Sequence, residues 1–149
     1  MEKIAVFVND LAAARHILQP MLAGAGPTHW VVVACPPTLT RHIGRWVSQR
    51  ARQQWRERWA ADLFGALQPE LSAHAGSEVE TLIAQHRLVD VSARLLSRLP
   101  QLRLLDARQP RVGRIDEPIS AAQPAPAASR WAAPVAATAG LSVMLTLAD

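Results

Sequence analysis

Short apolar runs alternate with longer amphipathic segments in the first part of the chain. Lys3–Val8 and His29–Ala34 are continuous runs of mostly apolar residues, typical of strands buried on both faces. The segment between them has apolar residues at helical spacing, namely Leu11, Ala14, Ile17, Leu18, Met21 and Leu22. Asp10 is a suitable N-cap for that helix. Strand, helix and strand with short links predict a βαβ unit with parallel strands and a right-handed crossover.

A long helix is predicted from about Thr40 to Leu67. An apolar residue recurs every four positions there, at Ile43, Val47, Ala51, Trp55, Trp59, Leu63 and Leu67. At 3.6 residues per turn, this spacing gives a stripe that drifts slowly around the helix. Pro69 is expected to close the segment.

The next two elements are a strand and a helix. Residues 78–85 fit a helix capped by Ser77 as well as an alternating strand. We favour the strand, because helical spacing begins again at Asp90, with Val91, Leu95, Leu96 and Leu99 on one face. Leu102–Leu105 is then a short strand. The order βαβαβαβ predicts an α/β fold with an open, mostly parallel sheet of about four strands and flanking helices.

The C-terminal region differs in composition from this α/β domain, which we place at residues 1–115. A Pro/Ala-rich linker is predicted at 116–130, followed by a tail, 131–149, without a charged side chain before Asp149. Eighteen helical residues span about 27 Å, enough for a bilayer core. Because Trp131 stands at its start and arginines lie only before it, we favour a membrane anchor, with the domain on the cytoplasmic face and the C-terminus outside. The alternative is a soluble cytoplasmic protein whose tail completes the fold through alternating Leu141, Val143, Leu145 and Leu147.

Charge is concentrated in the long predicted helix. The net charge is +4, and residues 41–58 contain six arginines against Glu57 alone, interleaved with tryptophans. Such a segment can contact nucleic acid or an anionic membrane surface, but a charge run of this kind is more often the solvated face of an ordinary amphipathic helix. The residues predicted for an anionic surface contact are Arg41, Arg45, Arg52 and Arg56.

The sequence contains no recognisable catalytic or metal-binding motif. Its five histidines share no ligand spacing, and the single cysteine, Cys35, cannot form an intrachain disulfide. It has no nucleophile elbow and no Walker loop. We therefore expect a non-enzymatic protein without a bound metal or resident cofactor.

In pattern, residues 3 to 108 resemble a degenerate member of the universal stress protein superfamily. The resemblance lies in Ile4–Asp10, in Val79–Gln85 with the following Val89–Leu96, and in Leu102–Asp106. It implies a parallel α/β fold that can bind ATP or AMP. The family's glycine-rich phosphate loop after the fourth strand is reduced here to Gly113 among arginines, so the resemblance supports the fold more than ATP binding.

If a nucleotide or another anion binds, it should lie at the carboxyl ends of the strands. The predicted residues are Asn9, Asp10, Ala34, Asp106, Arg108 and Gly113. Three functions follow as hypotheses. The first is a membrane-tethered binding or scaffold domain that could assemble as a homodimer. The others are a soluble nucleotide- or anion-binding module and a nucleic-acid binder acting through residues 41–59.

Overall fold

A computed structural model of the chain describes residues 1–38, 46–110 and 116–122. These residues form four strands and three helices in strict alternation. The elements are β1 (Glu2–Val8), α1 (Leu11–Gly24), β2 (Thr28–Ala34), α2 (Gln49–Leu71), β3 (Glu78–Ile83), α3 (Leu88–Arg98) and β4 (Arg103–Asp106). The predicted α/β class is confirmed, as is the choice of a strand for the segment beginning at Glu78.

The four strands form one parallel sheet in the order β3-β2-β1-β4. The chain moves outward from β1 through β2 to β3 and then returns to the other side of β1. The change of direction therefore falls between β1 and β4, where Val6 is opposite Leu105. In open α/β sheets, this is the place where the carboxyl ends of the strands leave a crevice for a ligand.

The two central strands bury both of their faces. Val6, Val8, Trp30 and Val32 pack under α1 and α2, together with Leu18, Leu63 and Leu67. Ala5, Phe7, Val31 and Val33 pack on the opposite face under α3, together with Val91 and Leu95. This double burial explains why β1 and β2 are continuous apolar runs rather than alternating ones.

The long helix begins later and ends later than its sequence pattern predicts. Trp46–Ser48 form a turn and a bend, so the predicted helical start at about Thr40 was wrong at these described positions. The Ser48 hydroxyl accepts a hydrogen bond from the Ala51 amide at 3.2 Å, and a side chain that caps the first turn fixes the start of α2 at Gln49. At the other end, α2 continues past Pro69 because Leu71 extends the apolar stripe into the core.

The inward face of α3 is narrower than predicted. Val91 and Leu95 are buried, but Leu96 is 45% exposed and does not belong to the packed face. A helix over a four-stranded sheet has one stripe against the strands, and Leu96 is turned by about 100° from Leu95. Leu88, one turn before Val91, takes a buried position instead.

Residues 116–122 return to the α/β domain and lie against α3. Ile119 is 5% exposed and belongs to the core beneath that helix. Its carbonyl accepts a hydrogen bond from the buried Ser92 hydroxyl. These residues open the segment predicted as a linker; most of that segment and the whole tail at 131–149 lie outside the described residues.

Candidate functional site

The parallel sheet brings together the polar residues that follow three of its strands. Asn9 and Asp10 follow β1, Cys35 follows β2, and Arg108 lies just after β4. Backbone hydrogen bonds hold these ends in register, because Cys35 N–H donates to the Val8 carbonyl at 2.7 Å and Ala107 N–H to that of Phe7 at 3.0 Å. Of the residues predicted for anion binding, Asn9, Asp10, Ala34, Asp106 and Arg108 therefore share one edge of the sheet.

Asn9 and Asp10 both form hydrogen bonds within the chain. Asn9 Oδ1 accepts from the Gln109 amide at 2.6 Å, and its Nδ2 donates to the Gln109 carbonyl at 3.2 Å. This pair of bonds ties the end of β1 to the residues after β4, across the point where the strand order reverses. Asp10 Oδ2 accepts from Ala13 N–H at 2.9 Å and so caps α1. Both side chains therefore organise the strand ends.

Arg108 lies at the centre of a partly buried polar network. Its side chain is 8% exposed, and its Nε and Nη2 donate to the two carboxylate oxygens of Asp106, each at 2.9 Å. Nη2 also donates to the Glu117 carbonyl at 2.6 Å. Burial alone would lower the pKa of Arg108, but the hydrogen bonds and charge of Asp106 outweigh it, and the pKa is raised. The charge of this arginine is therefore largely compensated by Asp106.

Glu117 connects the same network to the start of α3. Its Oε1 accepts a hydrogen bond from the Leu88 amide at 2.8 Å. The N-cap residue of α3, Arg87, makes no side-chain capping bond, so a carboxylate from a distant segment satisfies one of the helix's first N–H groups. Arg108 and Glu117 together fasten residues 116–119 to the strand ends.

Cys35 is held as an unreactive thiol. Its Sγ contacts the Val33 carbonyl at 3.7 Å. Burial raises the pKa of Cys35 to about 12 despite the nearby charge of Arg108. Because the thiolate is the nucleophile, this cysteine is a poor candidate for covalent chemistry.

A cleft of about 430 Å³ opens beside these strand ends, and we call it the strand-end cleft. It extends from the end of β1 past β2 and β3 to the start of α3. Its walls include charged, polar and apolar groups. The lining residues are Asn9, Cys35, Pro36, Thr38, Arg56, Ala84, Gln85, His86, Leu88, Arg108, Asp116 and Glu117.

Arg56 is the cationic side chain of α2 that enters this cleft. Its Nη2 donates to the carbonyl of Ala84, just after β3, at 2.6 Å. Its Nε is buried and has no hydrogen-bond partner among the described residues. The charge pattern groups Arg56 with the other arginines of this segment. Its position distinguishes it, because Arg56 lies four residues, or about one helical turn, before the buried Ala60 and so faces the same way.

The remaining predicted residues do not join this site. Arg52 lies on the exposed side of α2. Gly113, Arg41 and Arg45 lie outside the described residues, so their predicted roles stay predictions. His86, Thr38 and Asp116 also line the cleft and were not predicted from the sequence, because loops distant along the chain meet there only in the folded domain.

Neither a metal centre nor a membrane span is found in the described part of the chain. No cluster of three or more His, Cys, Asp or Glu side chains there could hold a metal ion. Among residues 1–38, 46–110 and 116–122, no helix has both the length and the hydrophobicity needed to cross a bilayer. The predicted anchor at 131–149 lies outside these residues and stays a prediction.

Comparison of the chain with protein-family models, with curated proteins and with solved structures gives no match. The resemblance to universal stress proteins therefore stays a prediction from the sequence pattern.

Proposed function

We propose that this protein is a non-catalytic α/β binding domain that takes a small anion in the strand-end cleft, with Arg56 as the principal contact. The observation that carries the proposal is the buried Nε of Arg56, which has no acceptor among the described residues. A buried donor left without a partner costs about 1–3 kcal/mol. Because Nε has almost no accessible surface, an anion reaches it only when the groups that cover it shift, and a carboxylate or phosphate oxygen would then supply the missing acceptor.

The other charges of the cleft define how strongly such an anion can bind. Arg108 contributes little net attraction, since Asp106 already accepts both of its forked hydrogen bonds. Asp116 and Glu117 line the same cleft and oppose an anion, although one oxygen of Glu117 accepts from the Leu88 amide. We therefore propose weak binding, and we expect dissociation constants of about 0.1–1 mM for single-phosphate ligands.

The proposed site differs from a glycine-rich phosphate loop. A loop of that kind uses several backbone N–H groups turned toward one ligand. After β4, the amide of Gln109 donates to Asn9 and that of Arg108 to Asp106, so neither is free for a phosphate. These contacts support a site centred on a side chain of α2, and AMP or ATP would bind through phosphate oxygens at Arg56.

Non-catalytic binding is supported by the way the polar groups at the strand ends are used. Asp10 caps a helix, Asn9 joins two backbone segments, and Asp106 holds Arg108. A general acid or base needs a side chain that can exchange a proton with the ligand. These side chains instead hold the domain together.

Calorimetric titration of the full chain with inorganic phosphate, AMP, ATP and adenosine tests the proposal. We expect saturable binding of the three anions and none of adenosine. Arg56→Gln should weaken anion binding at least tenfold, whereas Arg58→Gln removes the same charge from an exposed position on the same helix and should leave it nearly unchanged. Absence of heat at millimolar phosphate and nucleotide, or equal losses in the two variants, would show that Arg56 is not an anion site.

A further inference from the structure

The outer strand β3 presents an open backbone edge. Ala84 N–H donates to the carbonyl of Ala34 on the β2 side, at 2.9 Å. Since backbone N–H and C=O groups alternate in direction along a strand, those of Glu80 and Leu82 also point toward β2. The N–H and C=O groups of Val79, Thr81 and Ile83 therefore point away from the sheet, where the described residues provide no neighbouring strand.

A groove of about 680 Å³ runs along this edge, and we call it the edge groove. Phe64 of α2 forms one wall, and Arg94 and Arg98 of α3 form the other. The strand contains no proline, no lysine and no bulge that would block pairing at this edge, and its charged residues are Glu78 and Glu80. Thr81, at its middle, is exposed.

We propose that a second copy of this chain occupies the edge groove, with its own β3 antiparallel to the first about a twofold axis at Thr81. The two Thr81 residues then form a hydrogen-bonded pair, and Val79 of each copy pairs with Ile83 of the other. The outward-pointing N–H and C=O groups of Val79, Thr81 and Ile83 are the ones that this register pairs. Three residue pairs, each exchanging two bonds, give about six backbone hydrogen bonds. One continuous sheet then crosses both copies, in a symmetric, self-complementary interface.

Charge complementarity favours a second copy over an unrelated strand. Within one copy, Glu80 is already engaged, because Arg98 Nη2 lies 2.6 Å from its Oε1 and His29 Nε2 lies 3.5 Å from its Oε2. Arg94 and Glu78 are exposed, and neither has an ionic partner in the described part of the chain.

The antiparallel register brings these two unpaired residues together. The helix α3 runs opposite to β3, with Arg98 beside Glu80, so Arg94, one turn earlier, lies toward Leu82 and Ala84. In the proposed pairing, Glu78 of the second copy lies opposite Ala84 and so faces Arg94. The twofold axis repeats this contact, so each copy contributes one Glu78 and one Arg94 to the interface.

The pairing also covers apolar surface at the edge. Val79, Ile83 and Phe64 are only partly buried in one copy. The side chains of Val79 and Ile83 in the second copy would extend the same sheet face next to Phe64.

Sedimentation velocity of the full chain over a range of concentrations, in a mild non-ionic detergent, tests this interface. We expect a reversible dimer. Glu78→Arg and Arg94→Glu should each raise the dissociation constant about tenfold, because two equivalent contacts become repulsive. The double variant should recover most of the affinity of the unchanged protein, a rescue that general destabilisation cannot produce.

A proline at the centre of the strand gives a second, independent test. Thr81→Pro removes the central donor of the proposed pairing and should abolish the dimer, whereas Thr81→Val keeps the backbone and should retain it. A monomer at all concentrations in the unchanged protein would overturn the proposal. A dimer that responds to neither the charge exchanges nor the proline would also overturn it, as would binding of a different strand-forming protein instead of a second copy.

Discussion

Replacement of Arg108 by methionine tests whether the network at the strand ends holds the domain together. Methionine keeps most of the apolar stem of arginine but removes the charge and the hydrogen bonds. Three side-chain bonds are lost, two to Asp106 at 2.9 Å and one to the Glu117 carbonyl at 2.6 Å. The Asp106 carboxylate then loses the guanidinium, although the backbone amide of residue 108 still donates to its Oδ1 at 3.2 Å.

The expected loss of stability follows from the burial of the two partners. Removing one member of a fully buried ion pair costs about 3–5 kcal/mol, because the other charge stays uncompensated. The arginine side chain is 8% exposed, but that of Asp106 is 27% exposed and can gain some water. We therefore expect Arg108→Met to lower the free energy of unfolding by about 2–4 kcal/mol.

Urea denaturation measures this loss, with far-UV circular dichroism and tryptophan fluorescence as probes. Trp30 is 1% exposed and reports on the core. With a typical slope of about 1.5 kcal/mol per molar urea, the midpoint should fall by about 1.3–2.7 M. Arg58→Met, on the exposed surface of α2, is the matched control and should change stability by less than about 0.5 kcal/mol.

A double variant separates the ion pair from the packing of its residues. Asp106→Asn combined with Arg108→Met removes both charges and should destabilise the protein less than the sum of the single changes. A loss below about 1 kcal/mol for Arg108→Met would refute the view that this network fastens the strand ends. Strictly additive losses would show that the two residues act separately.

Two further predictions concern Cys35 and the tail. Because the pKa of Cys35 is raised from 9.0 to about 12 in the folded chain, the unfolded chain loses the thiol proton first as pH rises. The free energy of unfolding should then fall above pH 9 by up to about 1.4 kcal/mol per pH unit. Urea titrations at pH 8 to 11 measure this slope, and Cys35→Ala should remove it. A slope unchanged in the variant would refute this assignment. Deletion of residues 131–149 should leave the urea midpoint of the domain unchanged and abolish recovery with membranes, whereas an unfolded or aggregated product would assign the tail to the core.

The order of strands and helices could be predicted because burial on both faces leaves a strong pattern. The apolar runs of β1 and β2, and the helical spacing around Leu18 and Val91, each specify an element locally. The start of α2 was missed because the four-residue apolar spacing extends beyond the cap at Ser48. A side-chain cap defines a helix start more precisely than hydrophobic spacing does.

The use of the polar residues could be predicted only in part. The sequence places Asn9, Asp106 and Arg108 at the same edge of the sheet, since the carboxyl ends of parallel strands meet there. It does not indicate that Arg108 is held by Asp106 and by the backbone of Glu117, because the bond to Glu117 depends on the return of a loop. The sequence likewise does not indicate that Arg56 donates to the carbonyl of Ala84, because that acceptor is 28 residues away.

The position of β1 between β2 and β4 has a consequence for synthesis of the chain. The first strand to leave the ribosome receives one of its two neighbours only when Arg103–Asp106 has been made, and the Asn9–Gln109 bonds join residues 100 positions apart. At about 5–20 residues per second, one side of β1 stays unpaired for about 5–20 seconds. A nascent chain stopped before Leu102 would expose the open side of β1, and the apolar face around Phe7 would lack Leu102 and Ile119 even with α3 packed on it. Such a chain would be a substrate for chaperones and proteases rather than a smaller folded domain.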